Sequence, residues 1–322
     1  MNARATHHTA LLMLLLTNLF WGLSFPLIKA IVLLHERLVP GSGNWFITAM
    51  TLAPRFLLGA AFMLLVAWPQ TSRATASERK QGLLLGLSAS LGMVFQIDGL
   101  QFISASTSAF LTQLYAILIP LYVALRARRW PGGTVWVACA LVLAGVAVLA
   151  QFDFRNFHLG RGELETLIAS LFFMWQILTL ERKEFAGNRV MPVTTLMFVT
   201  QAVVFSVMAA VTAPNAAALA TPWASTPWLT FTVTLTAVCT IAAYLLMNRF
   251  QPAITATEAG LIYCTEPLFA SMQALFLPAL LSAWAGFHYA NETLTWRLLV
   301  GGGLITAANL LIQFRPPPKI AT

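Results

Sequence analysis

Long apolar segments with almost no charge dominate this sequence and restrict what the chain can fold into. Runs of about twenty apolar residues follow one another, separated by short charged or Pro/Gly-containing breaks. Of the 322 residues, 58% are hydrophobic and only 9% are charged, whereas soluble domains carry about 25% charged residues. A soluble fold is therefore excluded. The chain must cross a membrane as helices or as a closed barrel, because lipid offers the backbone no hydrogen-bonding partners.

The pattern within these segments favours helices over a barrel. Barrel strands alternate apolar and polar residues in runs of about ten, and these segments do not alternate. The sequence predicts an all-α polytopic membrane protein with ten transmembrane helices. Their expected bounds are Ala10–Leu34, Phe46–Trp68, Gly82–Gly99, Ser104–Leu125, Thr134–Phe152, Leu164–Leu180, Pro192–Thr212, Trp228–Met247, Thr257–Leu277 and Leu294–Phe314.

The distribution of basic residues predicts the topology. The formal charge of +8 comes from short clusters beside the apolar segments, which points to membrane orientation rather than nucleic-acid binding. Thirteen cations fall on one side of the ten spans: Arg4, Arg73, Arg79, Lys80, Arg126, Arg128, Arg129, Arg182, Lys183, Arg189, Arg249, Arg315 and Lys319. Because cytoplasmic loops are rich in Lys and Arg, we expect both termini in the cytoplasm of a bacterial inner membrane.

The ten spans divide into two halves of five, residues 1–152 and 153–322. An odd number of helices in each half makes the halves enter the membrane in opposite senses, which predicts an inverted repeat. The fourth and ninth spans each carry a proline deep in the apolar run, Pro120 and Pro267. The fifth and tenth match loosely, as VLAGVAVLAQF and LITAANLLIQF.

Several motifs resemble the EamA-like branch of the drug/metabolite transporter superfamily over nearly the whole chain. They are FWGLSFPLIK at 20–29, PRFLLGAAFMLL at 54–65, STSAFLTQLYAILIP at 106–120, TEPLFASM at 265–272 and NETLTWRLLVGGGLI at 291–305. The resemblance implies a ten-helix carrier with a central cavity that opens alternately to either side. It also implies export of amino acids or other metabolites.

The sequence departs from this pattern in three places. The region after the fourth span reads LRARRWP and lacks a counterpart of Glu292. The stretch between Pro267 and Glu292 is longer than usual, and so is the stretch between Lys29 and Arg55. We expect the shape of the outer vestibule to differ accordingly.

Glu266 is the sharpest candidate for a functional residue, because it lies near the middle of the ninth span. An ionised carboxylate there costs about 2.5–3.5 kcal/mol on insertion scales. In one reading it binds a cationic group of the substrate or carries a coupling proton. In the other it forms a structural ion pair, or hydrogen-bonds backbone groups freed by Pro267.

Three further charged residues lie within or near spans. Lys29 and Arg55 fall in the outer thirds of the first two spans, where long side chains can snorkel to the interface or pair. Alternatively, one of them receives a substrate carboxylate or pairs with Glu266. Glu258 lies about two turns before Glu266, and we expect it at an inner gate or interface.

Polar and aromatic side chains inside spans supply the donors and acceptors that a carrier pocket needs. Each of them is also explained by helix–helix hydrogen bonding or by anchoring at the interface. The set is Asn18, Trp21, Gln96, Gln113, Tyr115, Trp175, Gln176, Tyr244 and Tyr263. Asn18 and Trp21 are expected at a gate or helix interface. The resemblance favours the third, fourth, sixth and ninth helices, and so selects for binding Gln96, Gln113, Tyr115, Trp175, Gln176 and Tyr263.

The sequence carries no pattern typical of an enzyme, a cofactor site or a metal site. It has no GxSxG, HExxH or GxxxxGK[ST] motif. Its three cysteines sit in apolar segments, where we expect buried small side chains. Gly82, Gly86 and the triplet at 301–303 are expected to allow close helix packing.

These observations favour a secondary transporter for small polar metabolites, with amino acids or related compounds, including drugs, as substrates. Its expected partners are the substrate, the bilayer and protons as coupling ion, and we expect a monomer or homodimer. Three alternatives stay open: a flippase for a lipophilic or lipid-linked solute, a non-transporting membrane subunit, and, least favoured, an intramembrane enzyme.

Overall fold

Helices account for almost all of the regular structure. The computed structural model describes residues 3–99, 102–103, 108, 111–128, 130–149, 155 and 159–313, and none of these lies in a strand. The principal helices are α1 (Ala3–Leu38), α2 (Asn44–Thr71), α3 (Ala76–Gly99), α4 (Tyr115–Ala127), α5 (Gly133–Leu149), α6 (Arg161–Glu181), α7 (Val190–Thr212), α8 (Thr226–Ala253), the three parts of α9, namely α9a (Ala256–Tyr263), α9b (Glu266–Ala274) and α9c (Leu277–Ala285), and α10 (Trp296–Gln313).

Each of the ten predicted spans falls on one of these helices, in the predicted order. Among the described residues, six helices are long and apolar enough to cross a membrane: α1, α2, α3, α6, α7 and α8. Helix α9 adds a seventh crossing if residues Ala256–Ala274, which include α9a and α9b, count as one span with α9c, which is bent from them by 55°. Helices α4, α5 and α10 are shorter apolar helices. The prediction of an all-α polytopic membrane protein is confirmed. The predicted bounds at Ser104, Phe152 and Phe314 lie outside the described residues.

The helices pack into one bundle around a shared core. Helix α2 lies along α7, α5 lies along α10, and α3 packs between α6 and α7. Helix α1 contacts both α8 and α9. Many large apolar side chains point outward instead, among them Leu65, Leu125 and Val211. In a membrane these side chains face lipid, which is as apolar as they are.

Two glycines of α3 bring α7 into close contact, as expected from their spacing. A Cβ added at Gly86 would lie 2.6 Å from Thr200 Cβ, and one added at Gly82 would lie 2.7 Å from Leu196 Cβ. At one end of the same helix pair, the buried carboxylate of Glu78 accepts hydrogen bonds from Arg189 at 2.7 and 2.9 Å. Small residues and the ion pair between buried Glu78 and the more exposed Arg189 therefore set the position of α3 against α7.

We predict that Gly86→Ala lowers the stability of the bundle by about 1–3 kcal/mol, the usual cost of overpacking. The added methyl would meet Thr200 Cβ and the Met197 carbonyl oxygen at 2.9 Å or less, and the backbone groups cannot rotate away. Thermal unfolding in detergent, followed by tryptophan fluorescence, measures the effect. Gly303→Ala is the matched control, because nothing lies within 4 Å of a Cβ built at Gly303. Equal melting temperatures for the two variants would contradict the close-packing role.

Candidate functional site

The ninth helix is interrupted between Tyr263 and Glu266, so Glu266 lies at a break. Helix α9a ends at Tyr263 and α9b begins at Glu266, with Cys264 and Thr265 between them. Pro267 explains the interruption, because it has no N–H to donate to the carbonyl of Tyr263. Broken helices of this kind build substrate and ion sites in several transporter folds.

Helix α1 supplies the partners for the backbone at this break. Asn18 Nδ2 donates to the Ile262 carbonyl at 2.6 Å and to Thr265 Oγ1 at 2.8 Å. One turn further along, a Cβ added at Gly22 would lie 2.9 Å from the Ala270 nitrogen, so α1 and α9b are in close contact. Asn18 therefore holds the interrupted backbone, which agrees with the interface role expected for it.

The Glu266 carboxylate itself is left without a direct partner. The residue is partly exposed, and in the described part of the chain it makes no hydrogen bond or ion pair. Arg55 of α2 attracts it electrostatically from a greater distance. As the first residue of α9b, Glu266 also lies at a helix N-terminus, where negative charge is favoured. A charge in this position is stabilised but remains available to a ligand.

Arg55 is located differently from the sequence-based expectation. An outer-third position with snorkelling was one reading, but Arg55 lies well inside α2 and is only 4% exposed. Its Nη2 donates to the Cys239 carbonyl at 3.0 Å, and its Nε donates to Thr240 Oγ1. Because α8 forms a π-helix over Leu235–Ala242, its wider turn redirects carbonyl groups toward Arg55. Such π-segments are frequent at functional sites.

Aromatic side chains from five helices lie close together in the region of these two charges. Trp21 lies 5.4 Å from Tyr263 and 5.5 Å from Tyr244, measured between ring centroids. The Tyr244 ring is also 5.8 Å from Phe198 of α7. Tyr115 of α4 is buried and interacts electrostatically with Glu266. Trp21, Tyr115 and Tyr263, each predicted from the sequence, are thus brought together.

Buried amides form a second polar layer. Gln113 Oε1, Gln176 Nε2 and both amide atoms of Gln201 are buried and make no hydrogen bond of good geometry in the described structure, although Gln113 lies beside the Tyr115 hydroxyl and Gln201 beside that of Tyr244. Gln96 is partly buried and donates to Thr112 Oγ1 at 3.1 Å. Because buried polar groups are normally hydrogen-bonded, the unpaired amides can serve a polar ligand or water.

Three predicted residues lie apart from this group. Lys29 is exposed on α1. Trp175 is 37% exposed, and the Arg182 guanidinium lies 4.4 Å from its ring centroid. Glu258 caps the N-terminus of α9a and accepts a hydrogen bond from Thr255 at 2.9 Å, while His7 lies 3.2 Å from its carboxylate. Glu258 therefore ties the start of α1 to α9.

The prediction missed three residues that belong to the same region, Thr240, Gln201 and Gln251, and it did not select Tyr244 for binding. Tyr244 was among the polar residues of the spans but lies on α8, a helix that the resemblance did not favour. Gln251 accepts from the Tyr263 hydroxyl at 2.8 Å and donates to the Ile177 carbonyl at 2.7 Å. The run of threonines in TFTVTLTAVCTIA was the available signal for the π-segment.

A large cleft among the described residues lies elsewhere. It has a volume of about 1040 Å³ and lies where α6 ends and α7 begins, beside the end of α8, and Arg182, Arg189 and Arg249 line it. This cleft contains neither Glu266 nor Arg55. We still place the candidate site at Glu266, because a charge within a span is costly and marks ligand or ion pathways.

Part of the sequence matches a known protein family. Residues 8–151, which include α1 to α5 apart from the first residues of α1, match the model of the EamA-like transporter family. The match covers less than half of the chain. It agrees with the resemblance to the drug/metabolite transporter superfamily and supports a membrane transporter.

Two further similarities extend over the whole chain. A protein of Archaeoglobus fulgidus described as an uncharacterized transporter is 25% identical over 310 residues, covering 94% of this chain and 85% of its own. A solved crystal structure superposes with a TM-score of 0.65 at 17% identity, covering 96% of this chain and all of its own. This second similarity shows that the fold, including the half beyond residue 151, occurs in a solved protein.

Proposed function

We propose that this EamA-like protein is a secondary transporter for small metabolites that carry both an amino and a carboxylate group. One observation carries the proposal: the Glu266 carboxylate lies at a helix break near the middle of the bundle without a direct partner, and the buried cation Arg55 faces it from α2. Uncompensated charge at membrane depth is costly and marks ligand or ion pathways.

The two charges and their surroundings match such a substrate chemically. The amino group would pair with Glu266, and the carboxylate would lie toward Arg55, whose donors suit a carboxylate. Trp21, Tyr244 and Tyr263 provide flat apolar walls for the substrate's carbon skeleton. The unpaired amides of Gln113, Gln176 and Gln201 offer further hydrogen bonds.

The packing of the helices supports two inverted repeats, residues 1–152 and 153–322. In such an arrangement α2 corresponds to α7 and α5 to α10, and both of these pairs are in contact. The contact of α3 with α6 likewise corresponds to that of α8 with α1. The family match ends at residue 151, beside the proposed boundary. A two-fold relation of this kind supports alternating access by rocking of one repeat against the other.

The cytoplasmic end of the site is held by contacts that an inward-open state would break. Tyr263, Gln251 and the Ile177 carbonyl join α9 and α8 to α6, and His7 joins α1 to Glu258. We place both termini in the cytoplasm of a bacterial inner membrane, on the basis of the Lys and Arg bias. The resemblance favours export as the direction of transport.

Counterflow in proteoliposomes tests the substrate class directly. Vesicles preloaded with one amino acid from a panel should accumulate the same labelled amino acid, and accumulation should saturate. Analogues with only the amine or only the carboxylate should compete at least about tenfold more weakly, because one lost hydrogen bond to a charged group is worth about 1.5–3 kcal/mol. Protein-free vesicles are the control. If both analogues competed as strongly as the amino acid itself, two-point recognition would be ruled out. Counterflow of lipophilic solutes alone would favour the flippase.

A further inference from the structure

A second group of charges, which includes one fully buried carboxylate, lies at the opposite end of α3 from Glu78. Asp98, near the end of α3, is only 2% exposed, and Glu165 lies against it from the first turns of α6. Arg161 bridges the two carboxylates: its Nη2 lies 2.6 Å from Asp98 Oδ2, and its Nε lies 2.8 Å from Glu165 Oε1. One cation therefore serves two carboxylates.

The remaining oxygen of each carboxylate is buried and unsatisfied. Asp98 Oδ1 and Glu165 Oε2 have no hydrogen-bond partner in the described structure. Two buried carboxylate oxygens that both lack a donor are costly, and two ionised carboxylates in contact repel each other. A single proton removes both costs, because it lets one oxygen donate to the other.

Among the described residues of the surrounding helices, no other charged group could compensate the Asp98 and Glu165 carboxylates. Helix α6 contributes Arg161, Glu163 and Glu165, and Glu163 is occupied as a cap that accepts from the Gly160 nitrogen at 3.0 Å. Helix α7 contains no Lys, Arg, Asp, Glu or His, and the one charge of α4, Arg126, lies at its opposite end. On the loop after α3, Phe102 lies over the Arg161 guanidinium, 4.4 Å from its ring centroid to Cζ.

We propose that Asp98 and Glu165 form a proton-binding site that holds one proton between Asp98 Oδ1 and Glu165 Oε2. The site joins α3 to α6, and the proposed inverted repeat puts these helices in different halves. By the charge bias of the loops it lies at the outer ends of both helices. Loss of the proton makes the two carboxylates repel each other across this contact. The site would thus couple the outer side of the transporter to external pH, and this coupling role rests on the proposed function.

Infrared difference spectroscopy of the purified full-length protein tests the proton site without any substrate. The wild type at neutral pH should show a protonated-carboxyl C=O band that shifts in D₂O and disappears on alkaline titration. Asp98→Asn and Glu165→Gln should each lose this band, because an amide then supplies the hydrogen that the proton supplied. Glu163→Gln is the matched control and should keep it. Glu266→Gln identifies any separate contribution from Glu266.

Persistence of the band in both Asp98→Asn and Glu165→Gln would overturn the proposal, as would its absence from the wild type. Should one variant fail to fold, the other and the wild-type titration still decide the matter. Where counterflow has been established, Asp98→Asn should keep exchange within about twofold of wild type and lose the stimulation by a pH gradient. An unchanged stimulation would leave the proton site but overturn its coupling role. Failure of counterflow in the wild type would count against the proposed function alone.

Discussion

Replacing Glu266 by glutamine should lower substrate counterflow in proteoliposomes by about tenfold to a hundredfold, as expected when a hydrogen bond to a charged group is lost. Glutamine keeps the shape of the side chain and removes only the charge. In the described structure no other group competes for that charge at short range, so the loss falls on the substrate's amino group. The apparent affinity for substrates with an amine should fall more than the affinity for analogues without one.

Glu292→Gln is the matched control, since it makes the same change at an exposed residue of the outer loop. It should leave counterflow unchanged. Purified Glu266→Gln should elute as a single symmetric peak and melt at or above the wild-type temperature, because a costly charge within a span has been removed. Wild-type counterflow in a folded Glu266→Gln variant would remove Glu266 from the site.

Replacing Arg55 by methionine should reduce both stability and transport. The variant loses two hydrogen bonds from a charged donor, to Cys239 and Thr240, and each such bond is worth about 1.5–3 kcal/mol. It also leaves Glu266 without its nearby cation. The effect should appear as a lower melting temperature and as counterflow below detection. Arg55→Lys should restore little, because an ammonium cannot serve two acceptors with the planar geometry of a guanidinium.

Lys29→Met provides the control, because it removes an exposed cation from the neighbouring helix α1 and should leave melting and counterflow unaltered. The double variant Arg55→Met/Glu266→Gln tests whether the two charges act on each other. If they do, its loss of stability will be smaller than the sum of the single losses, because the second change removes the charge that the first left uncompensated. If the stability losses of the two single variants simply add in the double variant, Arg55 acts only through its hydrogen bonds to α8.

The sequence was sufficient for those features that depend on one segment at a time. The apolar runs identified the membrane class and placed all ten helices, because lipid requires each crossing to satisfy its own backbone. The proline-containing stretch around Glu266 identified the most informative residue, because a carboxylate inside an apolar run is unusual wherever the helix faces. Gly82 and Gly86 were correctly expected at a tight helix contact, and the three cysteines are buried.

The tertiary structure decided which side chains meet. Arg55 and Thr240 are 185 positions apart, and Asn18 and Thr265 are 247 apart. The interpretation of Arg55 as a snorkelling residue failed because its true partners arise from a π-segment in α8. Helices that are apolar on nearly every face carry little periodicity to show which face turns inward. The rotation of each helix about its axis is therefore fixed only by packing against distant helices, and it is this rotation that brings Glu266, Arg55 and the aromatic rings into one site.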